Sequence, residues 1–329
     1  MLKYSELIKK SRIYDMVLGD VKRGALGHCY LLVSGDSVAV DEFFDLVACT
    51  VYCEDYGCLR CVECERVLNR NNVDVVHLYP NEGKNYSVGD VVPVLQDVYK
   101  KSYSGGKKLY FFHKADKMKS DVQNKLLKIL EEPPRDVHFF LSTTTEGAIL
   151  DTVKSRSRKI FMDYFESSDV ADVLSRAYRD VDLRRIELSA SCCGGSLEKA
   201  EKLLSDLDFY QRYNEVFKML VEVKKSSDVI KYSKTALFDK SNISNTLDTL
   251  EIILRDVLAV IVGSKDVTLR DRKTEVERLA SEFTTASVVN VVEKINLARK
   301  KINAYCSANA IGETLLYAVL EVKFKCQKL

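Results

Sequence analysis

The sequence predicts an α/β protein: a five-stranded parallel sheet with helices on both faces, then a small helical domain and an all-α C-terminal domain. Five short apolar runs alternate with helix-like segments in the first half, which is typical of a parallel sheet covered on both faces. After Phe165 the strand-like runs stop. Gly194–Gly195 break the chain between two helical patterns, and Ser196 is predicted to cap the second helix. From about residue 207 the pattern is helical throughout. We therefore expect three domains, at 1–165, 166–206 and 207–329.

The predicted strands lie at 29–34, 73–79, 109–113, 139–143 and 159–162. The helix between the third and fourth strands is predicted to begin with a capping box formed by Ser120 and Gln123, and to stop at Pro133–Pro134. Its last residues, Glu131 and Glu132, are negative at the helix end where the dipole disfavours negative charge. Either these two carboxylates are solvated, or a cation or a backbone N–H group binds them.

In the C-terminal domain, apolar residues at helical spacing predict two buried helix faces. The first face consists of Leu247, Leu250, Ile253, Leu254, Val257, Leu258 and Ile261, and the second of Leu315, Leu316, Val319 and Leu320.

The charge of the chain is nearly balanced, with 50 basic and 48 acidic residues, so any nucleic-acid contact must come from a local patch. Clustered basic residues can either contact phosphates or form an ordinary solvated helix face, and the second interpretation is favoured. The candidate clusters are Lys224–Lys225, Arg270 with Arg272 and Lys273, and Arg299 to Lys301.

The N-terminal segment has no secretory apolar stretch, and the apolar run Val257–Val262 is too short to span a bilayer. We therefore expect a cytoplasmic protein without membrane contact. In that setting, ten cysteines favour reduced thiols or metal ligands over disulfides.

Four cysteines, Cys49, Cys58, Cys61 and Cys64, follow the spacing C-x8-C-x2-C-x2-C. Four thiolates at about 2.3 Å from the metal close a structural tetrahedral zinc site. We therefore predict a Zn²⁺ module at about residues 49–64 with these four ligands. Cys53 is a possible substitute ligand, and an iron–sulfur cluster or unligated thiols are the competing interpretations. The remaining cysteines are predicted to be buried or inert: Cys29, Cys192, Cys193, Cys306 and Cys326.

A phosphate-binding loop is not present in working form. Such a loop needs G-x-x-x-x-G-K-[ST] after the first strand, because backbone N–H groups hold the phosphates and the lysine reaches them. Counting from Gly35, Asp41 stands at the lysine position and Glu42 at the hydroxyl position, so the local charge is reversed. After the third strand, His113 and Lys114 occupy the place of an acidic, magnesium-binding pair. We expect no ATP bound by this chain and a structural role for His113.

These pieces occur in an order and spacing that resemble the delta-prime family of bacterial DNA polymerase III clamp-loader subunits, which are AAA+ proteins. The resemblance is strongest over residues 24–163 and thin beyond. It rests on the cysteine module and on the segments LYPNEGKNYSV, GGKKLYFFHKADKM, NKLLKILEEPP, FLSTTT and TVKSRSRKIF, with GGSLEKA, LRDVLAV and SANAIGETLL later in the chain.

The resemblance implies an AAA+ module with a helical lid and a C-terminal collar. It also implies that Arg156 supplies an arginine finger to ATP bound by the adjacent subunit, although Ser157 replaces the cysteine of the family's SRC motif. A plain surface arginine is the alternative. Glu198 stands where ATP-binding relatives carry a sensor arginine, and Thr143 or Thr144 occupies the other sensor position.

By the same resemblance, the partners would be the gamma/tau and delta clamp-loader subunits, the sliding clamp and, through the complex, primed DNA. The chain would be a non-hydrolysing part of a DNA polymerase holoenzyme that helps load the clamp during replication. The alternatives are a gamma/tau-type ATPase with a divergent phosphate loop and a free-standing zinc-containing nucleic-acid-binding protein.

Overall fold

The structure, a computed structural model, describes residues 2–81, 85–104, 106–264, 273–303 and 307–326. Its internal contacts divide the chain into two units, Met1–Glu201 and Lys202–Leu329. The first unit contains the whole sheet and most of the predicted lid. The three-domain division at residues 165 and 206 stays a prediction.

The five strands form one parallel sheet in the order β2-β3-β4-β1-β5. The predicted strands are confirmed, with ends displaced by no more than two residues, and so is the α/β class. Because β1 lies inside the sheet between strands that follow it in sequence, a crevice is expected at the carboxyl ends of the strands. The strands are β1 (Cys29–Val33), β2 (Val75–Leu78), β3 (Lys108–Phe112), β4 (Val137–Thr143) and β5 (Arg158–Phe161).

Helices cover both faces of this sheet. Phe111 and Phe140 contact Phe44 of α3, with ring centroids 4.9 and 6.1 Å apart, respectively. The neighbouring residues Tyr110 and Phe139 point to the other face and pack with apolar side chains of α5 and α6. The helices of this part are α1 (Ser5–Lys9), α2 (Arg12–Lys22), α3 (Ser37–Tyr52), α4 (Val62–Leu68), α5 (Val88–Asp97), α6 (Ser120–Glu131), α7 (Asp151–Lys154), α8 (Ser167–Ala177), α9 (Leu183–Cys192) and α10 (Leu197–Ser205).

The start of α6 differs from the prediction. Lys119, not Ser120, is the N-cap residue, and no side chain caps the helix. Gln123 is buried and uses its amide elsewhere: it donates to the carbonyl oxygens of Met118 and Ala148 and accepts from the N–H of Leu150. The predicted capping box is therefore wrong, because tertiary contacts take the glutamine away from the helix end.

Every regular element that the structure describes in the second unit is a helix, as predicted. The first predicted face of α13 is buried from Leu247 to Val257, while Leu258 and Ile261 are half-buried, and the predicted face of α16 is buried. Among the described residues, no helix is both long and apolar enough to cross a membrane. The helices are α11 (Phe209–Glu222), α12 (Ser226–Ser233), α13 (Ile243–Ile261), α14 (Lys273–Ala280), α15 (Thr285–Asn303) and α16 (Ala308–Cys326).

Candidate functional site

A cavity of about 250 Å³ opens at the carboxyl ends of β1, β3 and β4. Ligands of parallel α/β sheets bind at this edge, beside the point where the strand order reverses. The predicted positions of a nucleotide site are thus brought together in one place. The lining residues are Ser34, Gly35, Ser37, Val40, Asp41, Tyr79, His113, Lys114, Ser142, Thr143, Thr144 and Glu198.

Asp41, at the lysine position of a phosphate loop, faces His113 just after β3. Asp41 Oδ1 lies 2.7 Å from Nδ1 of His113, whose side chain is only 3% exposed. On its other side, His113 Nε2 lies 3.0 Å from Nδ1 of His77, and the ring of Tyr79 stacks on His113 with centroids 3.9 Å apart. Burial, with the positive charge of Arg70 beside it, lowers the pKa of His77 to about 2. In an ATPase, the carboxyl end of this strand carries the magnesium ligands. Here the end of β3 carries packed aromatic rings and the contact between Asp41 and His113.

Glu42, at the hydroxyl position of the loop, binds the N-terminal end of α1. Its two carboxylate oxygens accept hydrogen bonds from the N–H groups of Lys3, at 2.7 Å, and Tyr4, at 2.8 Å. N–H groups at the start of a helix have no acceptor within the helix, so an external carboxylate stabilises them. Burial raises the pKa of Glu42, and the two hydrogen bonds offset part of that shift. Glu42 thus holds the first helix.

Asp36 caps two helices at once. Its Oδ1 accepts from the N–H of Ala39 in α3 at 3.0 Å, and its Oδ2 accepts from the N–H of Leu197 in α10 at 2.5 Å. Asp36 is 2% exposed. Sequence reasoning did not single out this residue, although an aspartate immediately before a helix is a standard N-cap signal.

Glu198 binds the start of α3 in return. Its Oε2 accepts from the N–H of Ser37 at 2.9 Å and from the Ser37 hydroxyl at 2.8 Å. The start of α3 is the helix end that binds phosphate in a phosphate-loop protein. Here a carboxylate of the chain itself is bonded to it. The other predicted sensor position makes local bonds, since the Thr143 hydroxyl donates to the carbonyl oxygen of Thr145 at 3.0 Å.

Arg156, the predicted finger, lies in the turn between α7 and β5, with 34% of its side chain exposed. Its Nη2 is 2.8 Å from Oε1 of Glu131, and its Nη1 donates to the carbonyl oxygen of Thr152 at 3.0 Å. A cation therefore meets Glu131 at the end of α6. The LEEPP and SRS segments, separate in sequence, are joined by this ion pair.

Ser157, which replaces the cysteine of the SRC motif, packs inward. Its hydroxyl donates to the carbonyl oxygen of Val153 at 2.8 Å and lies 3.1 Å from the sulfur of Cys29. Burial raises the pKa of Cys29 to about 12, so this thiol is neutral. Of the cysteines predicted to be inert, three are buried, namely Cys29, Cys192 and Cys193. Cys306 and the side chain of Cys326 lie outside the described residues.

Four sulfur atoms cluster between the end of α3 and the first turn of α4: those of Cys53, Cys58, Cys61 and Cys64 lie within 4.8 Å of one another. In a tetrahedral site with metal–sulfur distances of about 2.3 Å, the sulfurs are about 3.8 Å apart. The sulfurs of Cys53 and Cys61 are 3.7 Å apart, so the thiols fit a metal ion.

Cys49 is not part of this sulfur cluster. It is buried in the last turn of α3, and its sulfur lies 3.9 Å from the carbonyl oxygen of Cys64. Cys53 is the C-cap residue, where the chain leaves the helix toward the other thiols. The structure therefore brings together Cys58, Cys61 and Cys64 as predicted, and places Cys53 instead of Cys49 beside them.

Backbone N–H groups point at the clustered sulfurs. The N–H of Cys58 lies 3.4 Å from the sulfur of Cys53, and that of Cys64 lies 3.5 Å from the sulfur of Cys61. A backbone hydrogen bond from Arg60 is the main cause that lowers the pKa of Cys58 to about 6. Such donors stabilise thiolates, the form in which cysteine binds metal.

The described basic clusters have different surroundings. Arg299 Nη2 lies 2.8 Å from Asp248 and 2.6 Å from Glu251, so carboxylates already meet its charge. Lys224 and Lys225 are exposed. Arg270 and Arg272 lie outside the described residues.

Comparison with known proteins gives a consistent set of relatives. The family model described as "DNA polymerase III, delta subunit" matches residues 9–166. The chain is 24% identical to DNA polymerase III subunit delta' of Bacillus subtilis, over 94% of this chain and 96% of that protein. It is 25% identical to the subunit delta' of Escherichia coli, over 86% and 85%. DNA polymerase III subunit tau of Bacillus subtilis is 23% identical over 77% of this chain and 46% of its own length.

Proposed function

We propose, from the premise that the chain belongs to the delta-prime family of DNA polymerase III clamp-loader subunits, that it acts in such a complex without hydrolysing ATP itself. One observation carries this proposal. Carboxylates stand at three positions that serve nucleotide in ATP-binding relatives, namely Asp41, Glu42 and Glu198, and each contacts another group of the chain. A triphosphate at this edge of the sheet would meet negative charge where it needs a cation.

Arg156 is the residue that we propose to act on ATP, in the site of the adjacent subunit. A guanidinium is always charged and can donate to two phosphate oxygens at once, which suits the transition state of phosphoryl transfer. The partial exposure of Arg156 supports this role, because a neighbour's phosphate can reach it. Its partner Glu131 is half exposed, and such exposed pairs contribute only about 0–1 kcal/mol. Arg156 can therefore exchange its carboxylate partner Glu131 for a phosphate at little cost in free energy.

The assembly that we propose contains gamma/tau and delta subunits, and it loads the sliding clamp onto primed DNA. The relatives named delta' and tau support this setting. The second unit, in which every described regular element is a helix, would supply the oligomerisation collar. Arg299 is met by carboxylates and the net charge of the chain is nearly balanced, so DNA would be contacted through the complex and not by this chain alone.

We further propose that the thiols of Cys53, Cys58, Cys61 and Cys64 hold a structural Zn²⁺. Their mutual distances and the N–H groups directed at the sulfurs support a closed four-thiolate site. Zinc there would fix the fold of the loop between α3 and α4. A site with four protein ligands leaves no position for a reacting water, so we assign it no part in hydrolysis.

The test is reconstitution of the chain with the gamma and delta subunits of its own organism, followed by measurement of clamp- and DNA-stimulated ATP hydrolysis. We expect Arg156→Ala to reduce hydrolysis at the adjacent site by about 10³-fold or more, and Arg156→Lys to restore little of it. Arg179→Ala, which removes an exposed arginine from the loop after α8, is the matched control and should leave the rate unchanged.

Each other outcome has a definite meaning. Unchanged hydrolysis by an assembled Arg156→Ala complex would refute the finger. Micromolar ATP binding by the isolated chain would favour a gamma/tau-type ATPase. Tight DNA binding by the isolated chain, with a steep dependence on salt, would favour a free-standing nucleic-acid-binding protein.

A further inference from the structure

We propose that Asp36 and Glu198 form a lock that joins the lid segment to the sheet in place of a bound nucleotide. The lid segment here means α8, α9 and the first residues of α10, 197–201. All of these residues belong to the first unit. The inference rests on the nucleotide-free part of the proposed function and extends it to how the lid is held.

The lock is reciprocal, because each side supplies a carboxylate to the helix start of the other. Asp36 precedes α3 and accepts from two N–H groups at the start of α10: Leu197 at 2.5 Å and Glu198 at 3.2 Å. Glu198 lies in α10 and accepts from the N–H and the hydroxyl of Ser37 at the start of α3. Each helix therefore carries a negative group to the positive end of the other helix.

The two helix starts would otherwise leave backbone donors without acceptors. The first N–H groups of a helix need an acceptor from outside the helix, and a carboxylate provides a charge-assisted bond. Asp36 is 2% exposed and Leu197 is fully buried, so water has little access to this part of the contact. If the lid segment moved away, α3 would lose the bonds from Glu198 and α10 would lose the bonds to Asp36 at the same time, while Asp36 would keep its bond to the N–H of Ala39.

A second set of contacts supports the same arrangement from the side of α1. Glu201 Oε1 accepts from the hydroxyls of Tyr4 and Tyr178, both at 2.7 Å, and lies 3.0 Å from Nζ of Lys3. Glu42 of α3 holds the N–H groups of Lys3 and Tyr4. Thus α1, α3 and α10 are tied in a closed triangle of carboxylate contacts.

The position of this triangle gives it a function. In ATP-binding relatives, the resemblance places a sensor arginine at position 198 and a lysine at position 41, so the nucleotide would connect the lid to the sheet. Here the residue at 198 reaches the phosphate-binding helix end directly. The geometry therefore provides a lid position that does not depend on whether ATP is bound, in agreement with the nucleotide-free subunit proposed above.

Hydrogen exchange of the isolated full chain, read by mass spectrometry or NMR, tests the lock. The informative amide is that of Leu197, because it is bonded to Asp36 and not to Glu198. If the two carboxylates act together, Glu198→Ala makes the Leu197 amide exchange about five- to tenfold faster, the factor that corresponds to loss of one cap of about 1–1.4 kcal/mol. Asp36→Asn, which turns one acceptor oxygen into an N–H₂ donor, should have a larger effect in the same direction.

The matched control is Glu187→Ala, an exposed carboxylate of α9 in the same lid segment, which should leave Leu197 exchange unchanged. Faster exchange of Ser37 alone in Glu198→Ala, with Leu197 unchanged, would show two independent caps and overturn the lock. Addition of Mg²⁺ and ATP to the wild type tests the proposed function separately. Slower Leu197 exchange with ATP would refute the nucleotide-free subunit, whereas the variants judge the lock without any nucleotide.

Discussion

The choice between Cys49 and Cys53 as the fourth metal ligand can be decided by two single substitutions. We expect Cys53→Ser to weaken zinc binding strongly and Cys49→Ser to leave it nearly unchanged. The reason is geometric: the sulfur of Cys53 lies 3.7 Å from that of Cys61, while the sulfur of Cys49 is outside the cluster and beside a carbonyl oxygen of Cys64.

The magnitude follows from the share of one ligand. Structural zinc binding to four ligands is worth about 10–16 kcal/mol at neutral pH, so an equal share per ligand is about 2.5–4 kcal/mol. Loss of Cys53 should therefore weaken zinc affinity by about 10²–10³-fold. Cys49→Ser changes a fully buried thiol to a hydroxyl, and we expect it to cost about 1 kcal/mol of folding free energy with little effect on affinity.

The assay is competition between the full-length protein and a chromophoric zinc chelator, with zinc content of the purified protein measured in parallel. Thermal unfolding of both variants with excess zinc checks that each is folded. Loss of affinity in Cys49→Ser with retention in Cys53→Ser would refute the geometric argument. Much less than one zinc per wild-type chain after zinc-replete growth would refute the metal site altogether.

Three further predictions follow from local geometry. Gly195 has φ +81°, and an added Cβ would lie 2.2 Å from a backbone oxygen. Gly195→Ala should therefore lower the free energy of unfolding, measured in urea, by more than about 2 kcal/mol. The control Gly147→Ala, with open space around it, should change that free energy little. Because the pKa of His77 is lowered to about 2, this side chain stays neutral in the folded protein, while in the unfolded chain it binds a proton below about pH 6.5. The free energy of unfolding should therefore fall by up to about 1.4 kcal/mol per pH unit below pH 6.5. The variant His77→Gln should show a flatter dependence of the free energy of unfolding on pH. Glu131→Gln should release Arg156 and raise the rate of ATP hydrolysis by the reconstituted complex up to about fivefold, with a melting temperature close to that of the wild type. A lower rate of ATP hydrolysis would mean that the carboxylate positions the arginine.

The sheet could be predicted because its strands are buried on both faces. Runs such as Lys108–Phe112 are apolar at nearly every position, and parallel strands under two helix layers require this. The order of the strands could not be obtained from any single run, because it depends on which strands pair across the whole domain. The helix break at Gly194–Gly195 could also be predicted from the sequence, because glycine favours the positive φ that both residues adopt between α9 and α10.

The site was less predictable, for reasons that individual residues show. Cys49 and Cys53 are four residues apart, and both precede the other thiols, so spacing alone cannot separate them. What separates them is that α3 ends at Tyr52, and helix ends are uncertain by one or two residues in a sequence. Gln123 has the right spacing for a capping box, yet contacts with residues 148–150 decide its side chain. The bond of Glu198 to Ser37 joins residues 161 positions apart, which no local pattern reveals.

If the chain is a non-hydrolysing subunit, as proposed, the carboxylate contacts around the segment that corresponds to a phosphate loop make a gain of ATPase activity through single substitutions difficult. Asp41→Lys alone would bring a cation against His113, Glu42→Thr alone would uncap α1, and Glu198→Arg alone would place a cation at the positive end of α3. Loss of an acceptor at a helix start costs about 0.5–2 kcal/mol, which is a noticeable part of the stability of an ordinary domain. A lineage that acquired ATP hydrolysis one substitution at a time would therefore pass through less stable intermediates. The same contacts that stabilise the helix starts therefore oppose a stepwise change toward nucleotide binding.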